Sequence, residues 1–393
     1  MRNTRKVRII MLNFAVIGYG NRISGIAKKL AESGEAKMTA VMDVDLDAAR
    51  ARAKDNGHED VTYYTDAEEM LKKEKLDGVL IGTRCTLHTH YALLVAKYDL
   101  PLFLEKPVST TEEDLARLCT LLPTMNEKTV VSFPLRISNV FLKVKEIVDS
   151  GKIGKIQHVQ AYNNVPYGHR YYHKWYRDEK ETGGQWLQKA THDLDYISHL
   201  LNNGGKPVRI CAAFSQTVYG GDMPAGLMCA DCDKKSTCPE SPKVYNANHE
   251  KHLLPAPEVC HCCFAKDVTI EDSGSCIVEY ESGMHVVYTQ NFVARNDAAK
   301  RGARLIGFEG TLEFDWVSKK IHVYRHQEQI SEEYTIAAPE HGHGGGDIRL
   351  ANNFLAVMKG EATSMAPLSE GIFSARLCLA AKRSSIDHVF VEL

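Results

Sequence analysis

Short β-rich runs alternate with helical patterns through the first 135 residues, and this alternation constrains the fold more than any other feature of the sequence. The β-rich runs cover residues 13–17, 38–43, 78–82 and 102–104. The helical patterns begin at Ser24, at Leu46, near His90 and at Thr111. Strand, helix and strand in succession are typical of a parallel, doubly wound sheet. We therefore predict an α/β protein whose first domain spans residues 1–135.

After Phe133 the pattern changes to an alternation of apolar and polar residues. The alternating runs cover residues 156–163, 276–280, 285–289 and 320–324. Runs of this kind favour an open, mainly antiparallel sheet with one face buried and one face available to a ligand. Helical patterns cover residues 185–201, 348–358 and 372–385. We predict a second α/β domain over residues 136–393, with a Cys-rich insertion at about 217–266 and a C-terminal helix.

Composition excludes several classes of partner. The 393 residues include 48 Lys and Arg against 50 Asp and Glu, so no overall basic field attracts nucleic acid or an anionic membrane. The longest apolar stretch, residues 7–18, is shorter than the roughly 20 residues of a membrane span. Its basic start imitates a secretory signal but lacks a small-residue cleavage site, so we interpret it as a tail entering the first strand. The 11 Cys are too sparse for a disulfide scaffold, which favours a cytoplasmic protein.

A glycine-rich turn follows the first predicted strand. In the segment Gly18-Tyr19-Gly20-Asn21-Arg22, which precedes a helix, backbone N–H groups would cradle a pyrophosphate. Ile23 replaces the third glycine of the usual fingerprint, and an ordinary tight turn is the alternative. Asp43 ends the second predicted strand, where a carboxylate accepts hydrogen bonds from a ribose diol and repels a 2′-phosphate. The pattern predicts NAD in preference to NADP, although Arg50 and Arg52 would suit the phosphate.

Lys106 is a candidate for proton transfer. The segment Glu105-Lys106-Pro107 ends the fourth predicted strand, at the edge where parallel sheets bind ligands. A lysine partly desolvated beside a cofactor can exchange a proton with a hydroxyl group. A surface ion pair between Glu105 and Lys106 explains the spacing equally well.

The helix that begins near residue 185 carries a second polar cluster. Lys189, His192 and Asp195 lie within two turns, and these side chains can orient and deprotonate a hydroxyl group. The helical period places Gln188, His192 and Asp195 opposite an apolar face. A merely solvated polar face is the alternative.

Two further segments suit a sugar-like ligand. Tyr171 and Trp175 offer faces that stack on sugar C–H groups, and Arg177 can hold a carboxylate with two hydrogen bonds. A packed helix-entry segment is the alternative. In the glycine-rich stretch 342–347, His343 and Asp347 are placed to bind hydroxyls, whereas a flexible loop with Asp347 as a helix N-cap explains it nearly as well.

Six of the 11 Cys fall between positions 229 and 263. Cys229, Cys232 and Cys238 have chelating spacing, and the run Cys260-His261-Cys262-Cys263 offers a fourth ligand. Four thiolates, or three with His261, fit a tetrahedral zinc ion. A metal-free thiol cluster and an iron–sulfur cluster are the alternatives. We predict a structural zinc ion that orders the insertion.

Taken together, these motifs resemble the Gfo/Idh/MocA oxidoreductases, the family of glucose–fructose oxidoreductase and inositol dehydrogenase. The resemblance covers nearly the whole chain. It rests, in chain order, on Gly18 to Arg22, Asp43, His90, Glu105 to Pro107, Arg136, Ser150 to Gly154, and Gly183 through His192 to Asp195. It implies an N-terminal Rossmann domain, a C-terminal α/β domain and hydride transfer between a nicotinamide and a sugar or cyclitol carbon. It also implies a homo-oligomer, a dimer or tetramer.

The resemblance also implies roles for particular residues. The NAD-binding set it implies is Gly18, Gly20, Asn21, Arg22, Asp43, His90, Glu105 and Lys106. It assigns proton chemistry to Lys106 and His192. At Gln188, where many members have Asp, the chain departs from the pattern, and Lys189 would compensate. A branch of the family with a Cys two residues before a Phe points to Cys262 as the fourth metal ligand.

Two other functions fit the same residues. An NAD-dependent glycosidase or lyase would oxidise its substrate transiently and recycle the cofactor. A non-enzymatic sensor would bind the dinucleotide and a partner protein without catalysis.

Overall fold

The computed structural model describes residues 11–201, 205–337, 339 and 342–393, so the predicted N-terminal tail lies outside the described residues. The chain divides into two compact units. The described residues within Met1–Ile137 and Glu340–Phe373 form the first, and those within Ser138–Pro339 and Ser374–Leu393 form the second. The first boundary thus lies two residues beyond the predicted position 135. The return of residues from 340 onward to the first unit was not predicted.

Two sheets organise the described residues. The strands, in chain order, are β1 (Leu12–Ile17), β2 (Ala36–Met42), β3 (Thr62–Tyr64), β4 (Gly78–Ile81), β5 (Leu102–Leu104), β6 (Thr129–Val131), β7 (Ile156–Asn164), β8 (Pro207–Ser215), β9 (Ser273–Tyr280), β10 (His285–Asn291), β11 (Lys300–Gly307), β12 (Gly310–Asp315), β13 (Lys320–Arg325), β14 (Ser331–Thr335) and β15 (Val391–Glu392).

Helices connect these strands. The α-helices, in chain order, are α1 (Asn21–Glu32), α2 (Leu46–Asp55), α3 (Ala67–Lys73), α4 (His88–Ala96), α5 (Glu112–Cys119), α6 (Leu122–Met125), α7 (Asn139–Asp149), α8 (His169–Tyr172), α9 (Glu179–Thr182), α10 (Thr191–Leu200), α11 (Pro242–Asn248), α12 (Gly346–Met358) and α13 (Leu368–Asp387). Among the described residues, no helix has the length and apolar character needed to cross a bilayer.

The sheet of the first unit is parallel throughout, with strand order β3-β2-β1-β4-β5-β6. The predicted doubly wound sheet is therefore confirmed. Sequence reasoning missed β3 and β6, which have three residues each. Lys106 therefore follows the fifth strand, not the fourth.

The second unit contains a nine-stranded sheet with order β14-β13-β12-β11-β7-β10-β9-β8-β15. Its neighbouring strands are antiparallel except β7 and β10, which run parallel. The prediction of a large, mainly antiparallel sheet is confirmed. The Cys-rich stretch lies between β8 and β9, where it contains α11 and short irregular segments.

The helices of the first unit differ in whether a side chain caps their N-terminus, which matters for ligand binding. The side chains of Asp45, Asp66 and Thr111 accept hydrogen bonds from the first turns of α2, α3 and α5. Among the described residues, no side chain caps α1, which starts after Gly20. Its first N–H groups are therefore left for an anion, as a pyrophosphate site requires.

The contact between α1 and β4 explains how the chain does without the third glycine of the fingerprint. That glycine normally lets the helix approach the sheet closely. Here Ile23 is fully buried, and a Cβ atom added to Gly82 would lie 2.4 Å from the Cβ atom of Ile23. In this chain the small residue that permits the close approach is Gly82, directly after β4, and not a residue of α1.

We therefore expect Gly82→Ala to lower the free energy of unfolding by about 1–3 kcal/mol, because the added methyl group overpacks the Ile23 contact. The control is Gly25→Ala in α1, where no atom lies within 4 Å of the added Cβ. That change should stabilise the protein by about 0.5–1 kcal/mol through helix propensity. Chemical denaturation measures both, and a neutral Gly82→Ala variant would contradict the packing account.

Candidate functional site

The turn between β1 and α1 has the backbone of a dinucleotide-binding loop. Gly18 has φ of +77°, and a Cβ atom there would lie 2.6 Å from Cγ2 of Thr83. Only glycine meets both conditions. The Gly18 N–H donates to the carbonyl of Met42 at 2.8 Å, which fixes the turn beside the end of β2.

Asp43 lies directly after β2 and faces the same turn. Its Oδ2 accepts a hydrogen bond from the Tyr19 N–H at 2.7 Å, and its Oδ1 accepts from the Asp45 N–H at 3.0 Å. These two amides orient the carboxylate beside the glycine loop. The structure thus brings together Gly18, Gly20 and Asp43 as the sequence predicts.

The two nearby arginines are engaged by protein groups. Arg52 donates to the Tyr19 carbonyl at 2.5 Å and to Oδ1 of Asn21 at 3.2 Å. The Arg50 guanidinium lies over the ring of Tyr63, 4.2 Å from its centroid. Arg52 therefore braces the glycine loop, which the sequence analysis did not predict.

Arg22 is the centre of an ion cluster. Its Nε lies 3.1 Å from Glu105 Oε1, and its Nη2 lies 2.7 Å from Asp347 Oδ1. Ser132 accepts a hydrogen bond from Arg22 at 3.1 Å and donates to Glu105 at 2.9 Å. Arg22 and Glu105 thus connect distant segments of the first unit, a role that the sequence analysis did not predict. Glu105 is buried, so a surface ion pair does not describe it.

Asp347 links His343 to the same cluster. Nδ1 of His343 lies 3.0 Å from Asp347 Oδ2. Burial alone would raise the pKa of Asp347, but hydrogen bonds from His343 and Arg22, with the charge of Arg22, lower that pKa well below its usual range. Asp347 is not the N-cap of α12, because that position belongs to Gly345. His343 lies in the first unit, where the Asp347 carboxylate holds its ring.

His88, rather than the predicted His90, lies beside the Lys106 loop. The His88 ring is buried, with Nδ1 2.7 Å from the Pro107 carbonyl oxygen and Nε2 3.2 Å from that of Thr83. Burial lowers the pKa of His88 and favours a neutral ring. His90, the residue that the family resemblance places in the cofactor site, is exposed and packs against Tyr91. The helical spacing of buried positions 88, 92 and 95 is the signal that identifies His88.

In the second unit the predicted polar cluster is buried. Gln188, Lys189, His192 and Asp195 are each less than a tenth exposed, so the solvated-face interpretation is wrong. The segment Trp186–Ala190 forms a π-helical turn before α10, a local distortion common at functional sites.

Lys189 contacts an aromatic pair. Its Nζ donates to the Tyr167 hydroxyl at 2.5 Å and lies 5.9 Å from the ring centroid of Tyr171. Burial alone would raise the pKa of Tyr167, but the charges of Lys189 and Arg301 outweigh it and lower that pKa. The structure thus joins the predicted Lys189 and Tyr171 through Tyr167, which the sequence analysis missed.

Asp193 fixes the helix that carries His192. Its side chain is fully buried and accepts hydrogen bonds from Asn163 at 2.8 Å, Tyr288 at 3.0 Å and Arg301 at 2.8 Å. These partners come from β7, β10 and β11, so α10 is anchored to three strands. Sequence reasoning did not identify Asp193 because its partners are distant in the sequence.

Trp175 and Arg177, which the sequence analysis predicted to bind substrate, both contact protein groups. Trp175 is half-buried and stacks on Tyr176 at 3.8 Å between ring centroids. Arg177 is buried and forms an ion pair with Asp267, whose other oxygen accepts from the Gly226 N–H at 3.0 Å. Arg177 therefore fastens the insertion through Asp267, a contact that the sequence analysis did not predict.

The four predicted metal ligands meet in the structure. Cys229, Cys232, Cys238 and Cys262 line one cavity within the insertion. All four carry free thiols. His173, Glu240 and Cys263 line the same cavity.

Comparison with known families gives matches to both units. Residues 12–133 match the profile described as an oxidoreductase family with an NAD-binding Rossmann fold. Residues 141–313 match the GFO/IDH/MocA C-terminal domain.

Three individual relatives are 16% to 27% identical to this chain. A putative oxidoreductase, YteT, of Bacillus subtilis (strain 168) is 27% identical over 314 residues, which are 71% of this chain and 72% of the relative. The myo-inositol 2-dehydrogenase of Thermotoga maritima is 27% identical over 193 residues, 48% of this chain and 55% of the relative. A levoglucosan dehydrogenase solved with NADH and levoglucosan superposes with a TM-score of 0.75 at 16% identity, covering 97% of this chain and 99% of that one.

The paired histidines of α4 provide a test of the site geometry. His88→Ala should lower the free energy of unfolding by about 1–3 kcal/mol, because it removes a buried ring that lies against two carbonyls. His90→Ala, two residues away and exposed, should change it by less than about 0.5 kcal/mol. Equal effects in urea denaturation would contradict the structural role of His88.

Proposed function

Because the chain belongs to the Gfo/Idh/MocA oxidoreductase family, we propose that it is an NAD-dependent dehydrogenase acting on a sugar, a sugar derivative or a cyclitol. The observation that carries the proposal is the placement of Asp43 beside the Gly18 turn, at the uncapped start of α1. Relatives named as inositol and levoglucosan dehydrogenases support the substrate class.

The first unit fits a dinucleotide at three points. The N–H groups at the start of α1 would receive the pyrophosphate. The Asp43 carboxylate, oriented by two backbone amides, would accept from the ribose hydroxyls and repel a 2′-phosphate. Arg50 and Arg52 already contact Tyr63 and the glycine loop, which supports NAD over NADP.

Lys106 and His192 are the proposed groups for proton transfer. Bound NAD supplies the hydride acceptor at C4 of the nicotinamide. In the oxidative direction, Lys106 or His192 takes the proton of the substrate hydroxyl. Lys189 would orient the substrate in place of the Asp that Gln188 replaces, with Asp195, Tyr171 and Trp175 as further substrate contacts.

Net formation of NADH from NAD with a panel of polyols and sugars tests the function. We expect NADH to accumulate in proportion to oxidised product. Substrate turnover without net NADH would instead favour the glycosidase or lyase with transient oxidation. Dinucleotide binding with no turnover across the panel would favour the sensor.

We also propose that the protein acts in the cytoplasm as a homo-oligomer. The sparse, free thiols support the first statement, and the family resemblance supports the second. Light scattering of the purified protein measures the assembly, and a monomer at micromolar concentration would contradict it.

Asp43 should set the cofactor preference. We expect NAD to bind at least about tenfold more tightly than NADP, and Asp43→Ala to narrow that ratio by about 1.4 kcal/mol or more. Asp47→Ala, an acidic residue in the first turn of α2, is the control and should leave the ratio unchanged. Calorimetric titration of both cofactors measures the ratio, and equal affinities in the unmodified protein would refute the assignment.

Lys106→Met should lower turnover by about 10²- to 10⁴-fold, the usual effect of losing an acid–base group, while NAD affinity stays within severalfold. His192→Gln should behave similarly, and Gln188→Ala should do less. The exposed Lys97 provides a control, because Lys97→Met should leave turnover unchanged. Full activity of the Lys106 variant would exclude that residue from proton transfer.

A further inference from the structure

His173 is held in one ring orientation by the Cys-rich insertion. The His261 N–H donates to the His173 carbonyl at 3.0 Å, and Nδ1 of His173 lies 2.8 Å from the His261 carbonyl oxygen. Because a carbonyl oxygen can only accept a hydrogen bond, Nδ1 of His173 carries the proton. In the neutral ring, Nε2 is then left with a lone pair. The His173 side chain is buried, at 1% exposed.

The cavity beside this ring contains two buried acceptor atoms that lack a donor. Among the described residues, Nε2 of His173 and Oε2 of Glu240 are buried and have no hydrogen-bond partner. Both residues line the cavity. The other oxygen of Glu240, Oε1, accepts from Arg295 at 3.2 Å. Burial of an acceptor without a donor costs free energy, so these two atoms indicate an occupant that can receive their lone pairs.

The geometry of the cavity fits one small ion. One potential ligand atom of each of His173, Glu240 and Cys263 lies within 4.8 Å of the other two, and no other such group of three is found among the described residues. Zinc bonds to nitrogen, oxygen and sulfur are about 2.0–2.3 Å long, so two ligands of one ion lie at most about 4.6 Å apart. The cavity leaves about 20 Å³ for a water-sized sphere, which is room for one.

We infer that His173, Glu240 and Cys263 bind one zinc ion. Zinc accepts nitrogen, oxygen and sulfur ligands together. His173 would bind through Nε2 while Nδ1 donates to a backbone carbonyl, the arrangement that usually orients a metal-binding histidine. Arg295 orients the Glu240 carboxylate in the same manner. One of the other thiols that line the cavity would complete the tetrahedron: Cys229, Cys232, Cys238 or Cys262.

The ion would join three separate segments of the second unit. His173 follows α8, Glu240 precedes α11, and Cys263 lies between α11 and β9. One hydrophobic core of the insertion has only four buried residues, so bonds to a metal would supply folding free energy that this core lacks. The sequence analysis predicted the same ion on four cysteines, and the inference changes its ligands. It is independent of the proposed dehydrogenase function.

Zinc analysis and X-ray absorption of the full chain, purified with its thiols reduced and without added metal, test the inference. We expect about one zinc per chain, with nitrogen and oxygen ligands at about 2.0–2.1 Å as well as sulfur at about 2.3 Å. A zinc ion with sulfur ligands alone would overturn the inference and favour the four cysteines. Metal-free protein with reduced thiols would also overturn it.

Variants identify the ligands. Glu240→Gln and Cys263→Ser should each lower the zinc content to less than about a tenth of that of the unmodified protein. The control for the first is Glu258→Gln, an exposed glutamate of the same insertion. The control for the second is Cys260→Ser, an equally buried thiol that donates to the Pro255 carbonyl at 3.7 Å. Both controls should keep the full zinc content.

Cys232→Ser separates the two ligand sets. Loss of zinc from Cys232→Ser, with retention in Glu240→Gln, would overturn the inference and place the ion on the four cysteines. Loss from both variants would support the mixed site, with Cys232 as its fourth ligand. If these variants fail to fold, the X-ray absorption spectrum of the unmodified protein still decides between the two sets.

Discussion

The guanidinium group of Arg22 joins three distant segments of the first unit. Arg22, at the start of α1, pairs with Glu105 after β5 and with Asp347 at the start of α12. The side chains of both carboxylates are less than a tenth exposed, and the charge of Arg22 compensates both. The glycine turn before Arg22, the Lys106 loop after Glu105 and the His343 loop before Asp347 are all positioned by the same ion cluster. The chain must return from residue 340 onward to complete it.

Features that depend on local sequence were predictable. The Gly18 turn, the Asp43 carboxylate and the β-strand runs lie within a few residues of the signals that identify them. The Arg22 cluster was not predictable, because its third member lies 325 residues away in the chain. The buried position of His88 was not predicted either, although the apolar residues at positions 92 and 95 place it on the buried face of α4.

In the second unit, too, local features were predictable from the sequence and long-range contacts were not. Cys229, Cys232 and Cys238 were identified from their spacing and Cys262 from the family resemblance, and all four line one cavity. Which other side chains share that cavity, among them His173 and Glu240, is a property of the folded chain. Arg177 was assigned to the substrate because its acidic partner, Asp267, is 90 residues away. Buried polar residues in an aromatic segment can therefore serve the scaffold as readily as a ligand.

A crystal structure of the protein with bound NAD tests the central claim most directly. The account predicts the pyrophosphate at the N–H groups that follow Gly18, the adenosine ribose hydroxyls on the Asp43 carboxylate and the nicotinamide beside Lys106. Density for the dinucleotide at another place in the first unit, or no binding at millimolar NAD, would contradict it.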